Sequence, residues 1–209
     1  ELVDSFLKID PNLGTALDLA IKARENLDDE VEDLLLKLTE SQFASELQKD
    51  FVNFYEPSTV NPYIPLAAKG PWIITTHGAV VHDNGGYGML GMGHDPTEVM
   101  SSMSKSHVMA NVMTPSVTHK RFADTLKREV GHTRGACPFD RFICMNSGSE
   151  SVTVAMRISD INARLMTDQE GPHHGKEIWT VALDSGFHGR TDRPASISSS
   201  CLPKYQKKL

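Results

Sequence analysis

Apolar positions in the first third of the chain recur at helical spacing. Val31, Leu34, Leu35 and Leu38 fall at i, i+3, i+4 and i+7, and Phe43, Leu47, Phe51 and Phe54 continue at nearly the same interval. Between the two stripes Thr39 and Gln42 have the spacing of a capping box, which predicts that one helix ends and another begins there. The polar positions around these stripes are mostly acidic. Residues 1–50 hold 13 Asp and Glu against 5 Lys and Arg, a local balance of -8, and the remaining 14 acidic and 16 basic residues balance at +2. An acidic helical layer lying on a larger body is the simpler expectation; a partner-binding segment is the other. Pro57, Pro62 and Pro65 end this texture, so a boundary is placed within residues 55–70. The division is a helical acidic segment over residues 1–60 and a second region over 61–209.

Beyond Pro71 the pattern shortens. Trp72–His77 and Ala79–Val81 flank Gly78 and predict a hairpin. Asn84, Gly85, Gly86, Gly88, Gly91 and Gly93 then make a glycine-dense loop that lacks the GxGxxG frame of a dinucleotide site. Asp95, Pro96 and Glu98 predict a helix start, with Asp95 as N-cap and Pro96 at the first position. A further helix is expected from Ser116 to Val130, with Phe122, Leu126 and Val130 on one stripe and Gly131 as a left-handed terminus. Arg141–Met145 and Ile178–Leu183 read as short strands. Ser151–Met166 between them carries Val154, Ile158, Ile161 and Leu165 at helical spacing. Strand, helix and strand within about 45 residues form a βαβ crossover, hence an α/β fold with a parallel sheet.

Composition narrows the function classes. With 39% hydrophobic and 23% charged residues the chain can build a core. No apolar run approaches the ~20 residues that span a bilayer, and Glu1–Asp10 does not read as a secretory leader. A net charge of -6 disfavours nucleic acid or an acidic membrane as partner. Cys137, Cys144 and Cys201 are too few and irregular for a disulfide framework, so a reducing cytoplasm is expected.

Two segments could carry chemistry. Residues 146–150 (NSGSE) join a predicted strand to a helix, where backbone N–H groups lack intrahelical acceptors at the positive end of the helix dipole. Gly148 lets a ligand approach the main chain there, so a phosphate would suit the turn; a water-bound N-cap is the plainer alternative. Residues 184–191 (DSGFHGRT) follow the second predicted strand, at the sheet edge where open α/β folds place ligands. Phe187 could stack on a flat ring there, or simply fill the core. Ser147 and Ser149 lie outside a GxSxG elbow, and no Gly-Lys-Ser/Thr follows the turn, which argues against a serine hydrolase and a Walker A site. His173 and His174 sit in a polar loop, and Cys137 and Cys144 are too far apart for a usual zinc pair, so no metal is expected.

The order of these pieces resembles the class III (ornithine/4-aminobutyrate type) pyridoxal-phosphate aminotransferases. The resemblance rests on Tyr87-Gly88 with Gly91, Gly93, His94, Asp95 and Pro96, then on residues 146–150, then on residues 187–191, and covers roughly residues 65–195. It implies a fold type I large domain, α/β/α around a mostly parallel sheet, with part of a smaller domain. It also implies pyridoxal 5'-phosphate as cofactor, held at its phosphate by Ser147, Gly148 and Ser149. Phe187 inherits the stacking position, His188 of the same motif joins the cofactor site, and Tyr87 takes the place of a substrate-contacting aromatic. His82-Asp83 stands near the family's strand–Asp, its register fixed to within one residue.

The family's cofactor-bearing lysine is expected beyond Leu209, because Lys176, Lys204, Lys207 and Lys208 match none of its positions. No catalytic residue is therefore assigned within this chain, which reads as the front half of an enzyme and is not expected to catalyse alone. The activity implied is transfer of an amino group between an ω-amino acid and a keto acid by a homodimer. An aminomutase of the same family and a non-catalytic fragment or paralogue are the alternatives.

Overall fold

A computed structural model describes residues 2–52, 63–84, 91–108 and 113–199. It divides into two units, Glu1–Val108 and Met109–Leu209.

The first unit is organised by an element with few large side chains. After a short helix α1 (Leu2–Leu7), α2 (Pro11–Glu25) starts at Asp10, whose carboxylate accepts the Asn12 backbone N–H at 2.9 Å, with Pro11 in the first turn. Leu13, Ala16 and Ala20 form its buried face. Alanine on that face lets the helix axis lie close to the sheet it covers. That sheet has three antiparallel strands in the order β1 (Pro65–Lys69), β2 (Trp72–Thr75) and β3 (Val80–His82), with Ala68 opposite Ile73 and Ile73 opposite Val81. All four β2 residues are buried, and Leu13, Ala16, Ala20, Trp72 and Ile74 form the core. Burying Leu13 and Ile74 stabilises the unit by roughly 1.5–3 kcal/mol each.

The hairpin expected around Gly78 is present. Gly78 has φ +81°, and Thr75 Oγ1 accepts the Ala79 N–H at 3.0 Å. Trp72 Nε1 donates to Asp10 Oδ2 at 2.9 Å, which ties the start of α2 to the central strand. The Asn12 N–H and then the Trp72 indole hold the Asp10 carboxyl below its ordinary pKa.

The capping box is also present. Helix α3 (Asp29–Lys37) stops before Thr39, which caps α4 (Glu40–Gln48): Gln42 N–H donates to Thr39 Oγ1, and the Thr39 N–H donates to Gln42 Oε1 at 3.0 Å. The second apolar stripe is shorter than its spacing suggests. Phe43 is buried, but Phe51 lies past the helix end and is 80% exposed, and Phe54 falls outside the described residues.

Helix α5 (Thr97–Met103) corrects one expectation, since its N-cap is Pro96 and not Asp95. Asp95 has φ +47°, and its carboxylate is drawn to Lys69 Nζ at 2.8 Å. An ion pair with a residue 26 positions away has won over the local cap.

In the second unit Ser116 caps α6 (Val117–Gly131) by accepting the His119 N–H at 3.1 Å. Gly131 is not the left-handed terminus expected; it is the last helical residue, and a Cβ there would lie 2.8 Å from the Cys137 nitrogen. Steric closeness, not backbone conformation, calls for glycine. Helices α7 (Gly148–Thr167) and α8 (Asp192–Ser196) follow and touch each other. Residues 141–145 and 178–183, expected as strands, pair with no strand among the described residues. Ile143 and Val181 are 66% and 89% exposed. A lone extended segment leaves its N–H and C=O groups to water, so without a neighbour about 4.8 Å away no ladder forms. The sheet described is the small antiparallel one.

Candidate functional site

The two segments singled out by sequence meet in the second unit. Ser147 is the N-cap of α7, its hydroxyl accepting the Glu150 N–H at 3.2 Å, while Glu150 Oε2 accepts the Asn146 N–H at 3.0 Å. The box satisfies Asn146 and Glu150. It leaves the N–H groups of Gly148 and Ser149 without an acceptor among the described residues, at the positive end of a 20-residue helix. A Cβ built on Gly148 meets nothing within 4 Å, so the space in front of these donors is open.

Ser149 joins the turn to the second segment. Its Oγ accepts the Arg190 N–H at 3.1 Å, and its carbonyl accepts from Thr191 Oγ1 at 3.2 Å and Thr153 Oγ1 at 2.9 Å. The two threonine hydroxyls are themselves 2.9 Å apart. The approach is possible because residue 189 is glycine. Its φ is +125°, and a Cβ there would lie 2.8 Å from Ser149 Oγ and 2.9 Å from Ser149 Cα.

Ser198, 2% exposed, holds the loop from the other side. It accepts the His188 N–H at 2.8 Å and lies 3.0 Å from the Gly189 carbonyl. Sequence reading missed Thr153 and Ser198. Arg190 and Thr191 stood inside a recognised motif without an assigned role, and the other two give no local signal because each acts across a long loop or a helix turn.

Phe187 is 60% exposed, not in a core, and the Arg190 guanidinium lies 5.4 Å from its ring centroid. The His188 Nε2 atom is buried without a hydrogen-bond partner among the described residues, and a Cβ on Gly186 would lie 2.7 Å from it. Tyr87 lies outside the described residues. In the first unit Asp83 and His94, at the two ends of the glycine-dense loop, pair at 2.9 Å. No trio of His, Cys, Asp or Glu that could hold a metal gathers among the described residues. No helix among them is long and apolar enough to cross a membrane.

Open main-chain donors at a helix start are joined, through the Ser149–Arg190 bond, to a glycine-hinged loop that carries an exposed aromatic ring. The chain belongs to the aminotransferase class-III family, whose profile matches residues 54–208. It is also similar to an acetylornithine aminotransferase of Prochlorococcus marinus subsp. pastoris, 36% identical over 75 residues. That match covers 36% of this chain and 16% of the relative, so the shared stretch spans about a sixth of the relative's length. No solved structure matches the chain.

Class III aminotransferases depend on pyridoxal 5'-phosphate. The residues present fit that group. Two N–H donors without an acceptor among the described residues and open space at Gly148 suit the phosphate, and an exposed aromatic ring stands on the loop joined to it.

Proposed function

We propose that the intact protein is a pyridoxal-phosphate transaminase moving an amino group between an ω-amino acid, of the 4-aminobutyrate, ornithine or lysine type, and a keto acid. The carrying observation is the Ser149–Arg190 junction, which sets the phosphate-suited turn against the aromatic loop. The similarity to an acetylornithine aminotransferase favours a substrate of this length and charge. In this reading residues 61–209 are the front part of a fold type I domain, and residues 1–60 are a helical segment whose α2 packs on the sheet at the start of that part. Segments 141–145 and 178–183 then belong to a mostly parallel sheet. The enzyme works as a cytoplasmic homodimer.

When bound, the cofactor supplies an electron sink for bond cleavage at the amino-bearing carbon. This chain's residues hold and orient. The N–H groups of Gly148 and Ser149 bind the phosphate, with the Ser147 and Ser149 hydroxyls beside them. Phe187 lies against the ring with His188 next to it, and Tyr87 contacts substrate. The Arg190 guanidinium, 5.4 Å from the Phe187 ring centroid, packs over that side chain.

The test is a fluorescence titration of the chain with pyridoxal phosphate. A Cβ at position 148 meets nothing within 4 Å, so Gly148→Val adds its side chain to the space in front of the donors. It should weaken binding at least about tenfold, the scale of one lost charge-assisted hydrogen bond. Unchanged affinity would sink the assignment.

A further inference from the structure

A cavity of about 460 Å³ in the second unit is lined by Arg157, Asp160, Ile161, Arg164, Ile178 and Arg193. Its volume lies in the range of small-molecule sites. Three guanidiniums face one carboxylate, a local excess of two positive charges. On α7, Asp160 is three residues after Arg157 and four before Arg164, the spacing at which a helix lets a carboxylate neutralise an arginine. It does neither, because Arg193 of α8 takes its Oδ2. Arg157 and Arg164 are left without a side-chain partner among the described residues. They stand seven residues apart, hence on one face and about 10 Å apart along the axis. Ile161 lies between them, and Ile178 adds a second apolar wall.

We propose that this cavity binds a small organic dianion, two carboxylates or two phosphates joined by a short apolar body. Arg157 and Arg164 each grip one end, and Ile161 and Ile178 lie against the middle. Guanidinium suits this because it takes carboxylate or phosphate through two parallel N–H bonds. Asp160 acts as a positioning residue that steers Arg193 and leaves the helix arginines to the ligand. None of these residues belongs to the turn at Gly148, which precedes Arg157 by about 14 Å along α7. The proposal therefore stands or falls apart from the cofactor reading.

The experiment is isothermal titration calorimetry of the full chain, with and without saturating pyridoxal phosphate. The probes are adipate, 1,4-butanediol bisphosphate and, as the single-anion comparison, hexanoate. Expected is saturable one-to-one binding of a dianion, at least tenfold tighter than hexanoate, unaffected by pyridoxal phosphate and weakened by added salt. The tighter of the two dianions identifies the end group. The double variant Arg157→Gln/Arg164→Gln should lose at least a hundredfold in affinity. Arg128→Gln, which removes a guanidinium already paired with Glu129, should lose nothing. If the double glutamine variant misfolds, Arg157→Lys/Arg164→Lys keeps the charge, removes the two-pronged grip and should lose about tenfold. Absence of saturable binding, equal binding by the lysine or glutamine variant, or displacement of the dianion by pyridoxal phosphate would each overturn the proposal.

Discussion

Gly189→Ala tests the contact on which the whole candidate site depends. The native φ of +125° is one that L side chains rarely adopt, and holding alanine there costs about 1–3 kcal/mol. The added methyl would also lie 2.8 Å from Ser149 Oγ, 2.9 Å from Ser149 Cα and 3.0 Å from Pro194 Cβ. Relief requires the loop to back away from α7. That movement adds about 1–3 kcal/mol of overpacking and endangers the Arg190 and Thr191 bonds to Ser149, each worth roughly 0.5–1.5 kcal/mol. The terms overlap, so about 2–5 kcal/mol in all is expected. Gly175→Ala is the internal comparison. Its φ is +72° and nothing lies within 4 Å of the new Cβ, so only the conformational cost of about 1 kcal/mol should appear. Urea unfolding of both variants, followed by far-ultraviolet circular dichroism, gives the difference. Equal midpoints for the two would refute the close approach and, with it, the junction of the two motifs.

Two further outcomes are expected. Phe187→Ala should loosen pyridoxal phosphate several-fold, from the ~0.5–1.5 kcal/mol of an aromatic contact, while leaving the circular dichroism spectrum unchanged because the ring is exposed; equal affinity in a titration would remove Phe187 from the site. The Asp10 carboxyl titrates below its unfolded value near 3.8, so its contribution is fully present above that pH and is lost as pH falls through the depressed folded value. Asp10→Ala should cost about 2 kcal/mol at neutral pH through the cap and the Trp72 bond, and should flatten the acid limb of the stability curve; an unchanged limb in acid titration would contradict the assignment.

Much of the fold was legible where the signal is local. The Thr39–Gln42 box, the Gly78 hairpin, the Ser116 cap and α7 depend on residues within four positions of one another, and each lies where its spacing indicates. What could not be read depends on distant partners. Strand β1 has the sequence PLAAK, without β-branched residues, and is held by β2 on one side and α2 on a face. The buried face of α2 is two-thirds alanine, a weak apolar signal until a sheet lies under it. Asp95 would cap its helix but for Lys69, 26 residues away. The candidate site follows the same division. Ser147, Gly148 and Gly189 announced themselves, whereas Thr153 and Ser198 became visible only when the loops met. Residues 141–145 and 178–183 have strand-like composition, but composition cannot supply the neighbouring ladder they lack.

The crowding at Gly189 bears on how freely this chain can vary. Of the three atoms a Cβ would meet, one is the Ser149 α-carbon, which every amino acid carries. No replacement at position 149 can therefore make room for a larger residue at 189, and a paired substitution offers no escape. The hydroxyl of Ser149 is under a softer constraint. It can be deleted at the loss of one hydrogen bond from Arg190, and the threonine bonds to its carbonyl would persist. Directed evolution of this loop for folding alone should accordingly return a variable side chain at 149 and an unchanging glycine at 189, whereas selection for cofactor binding should keep serine at 149.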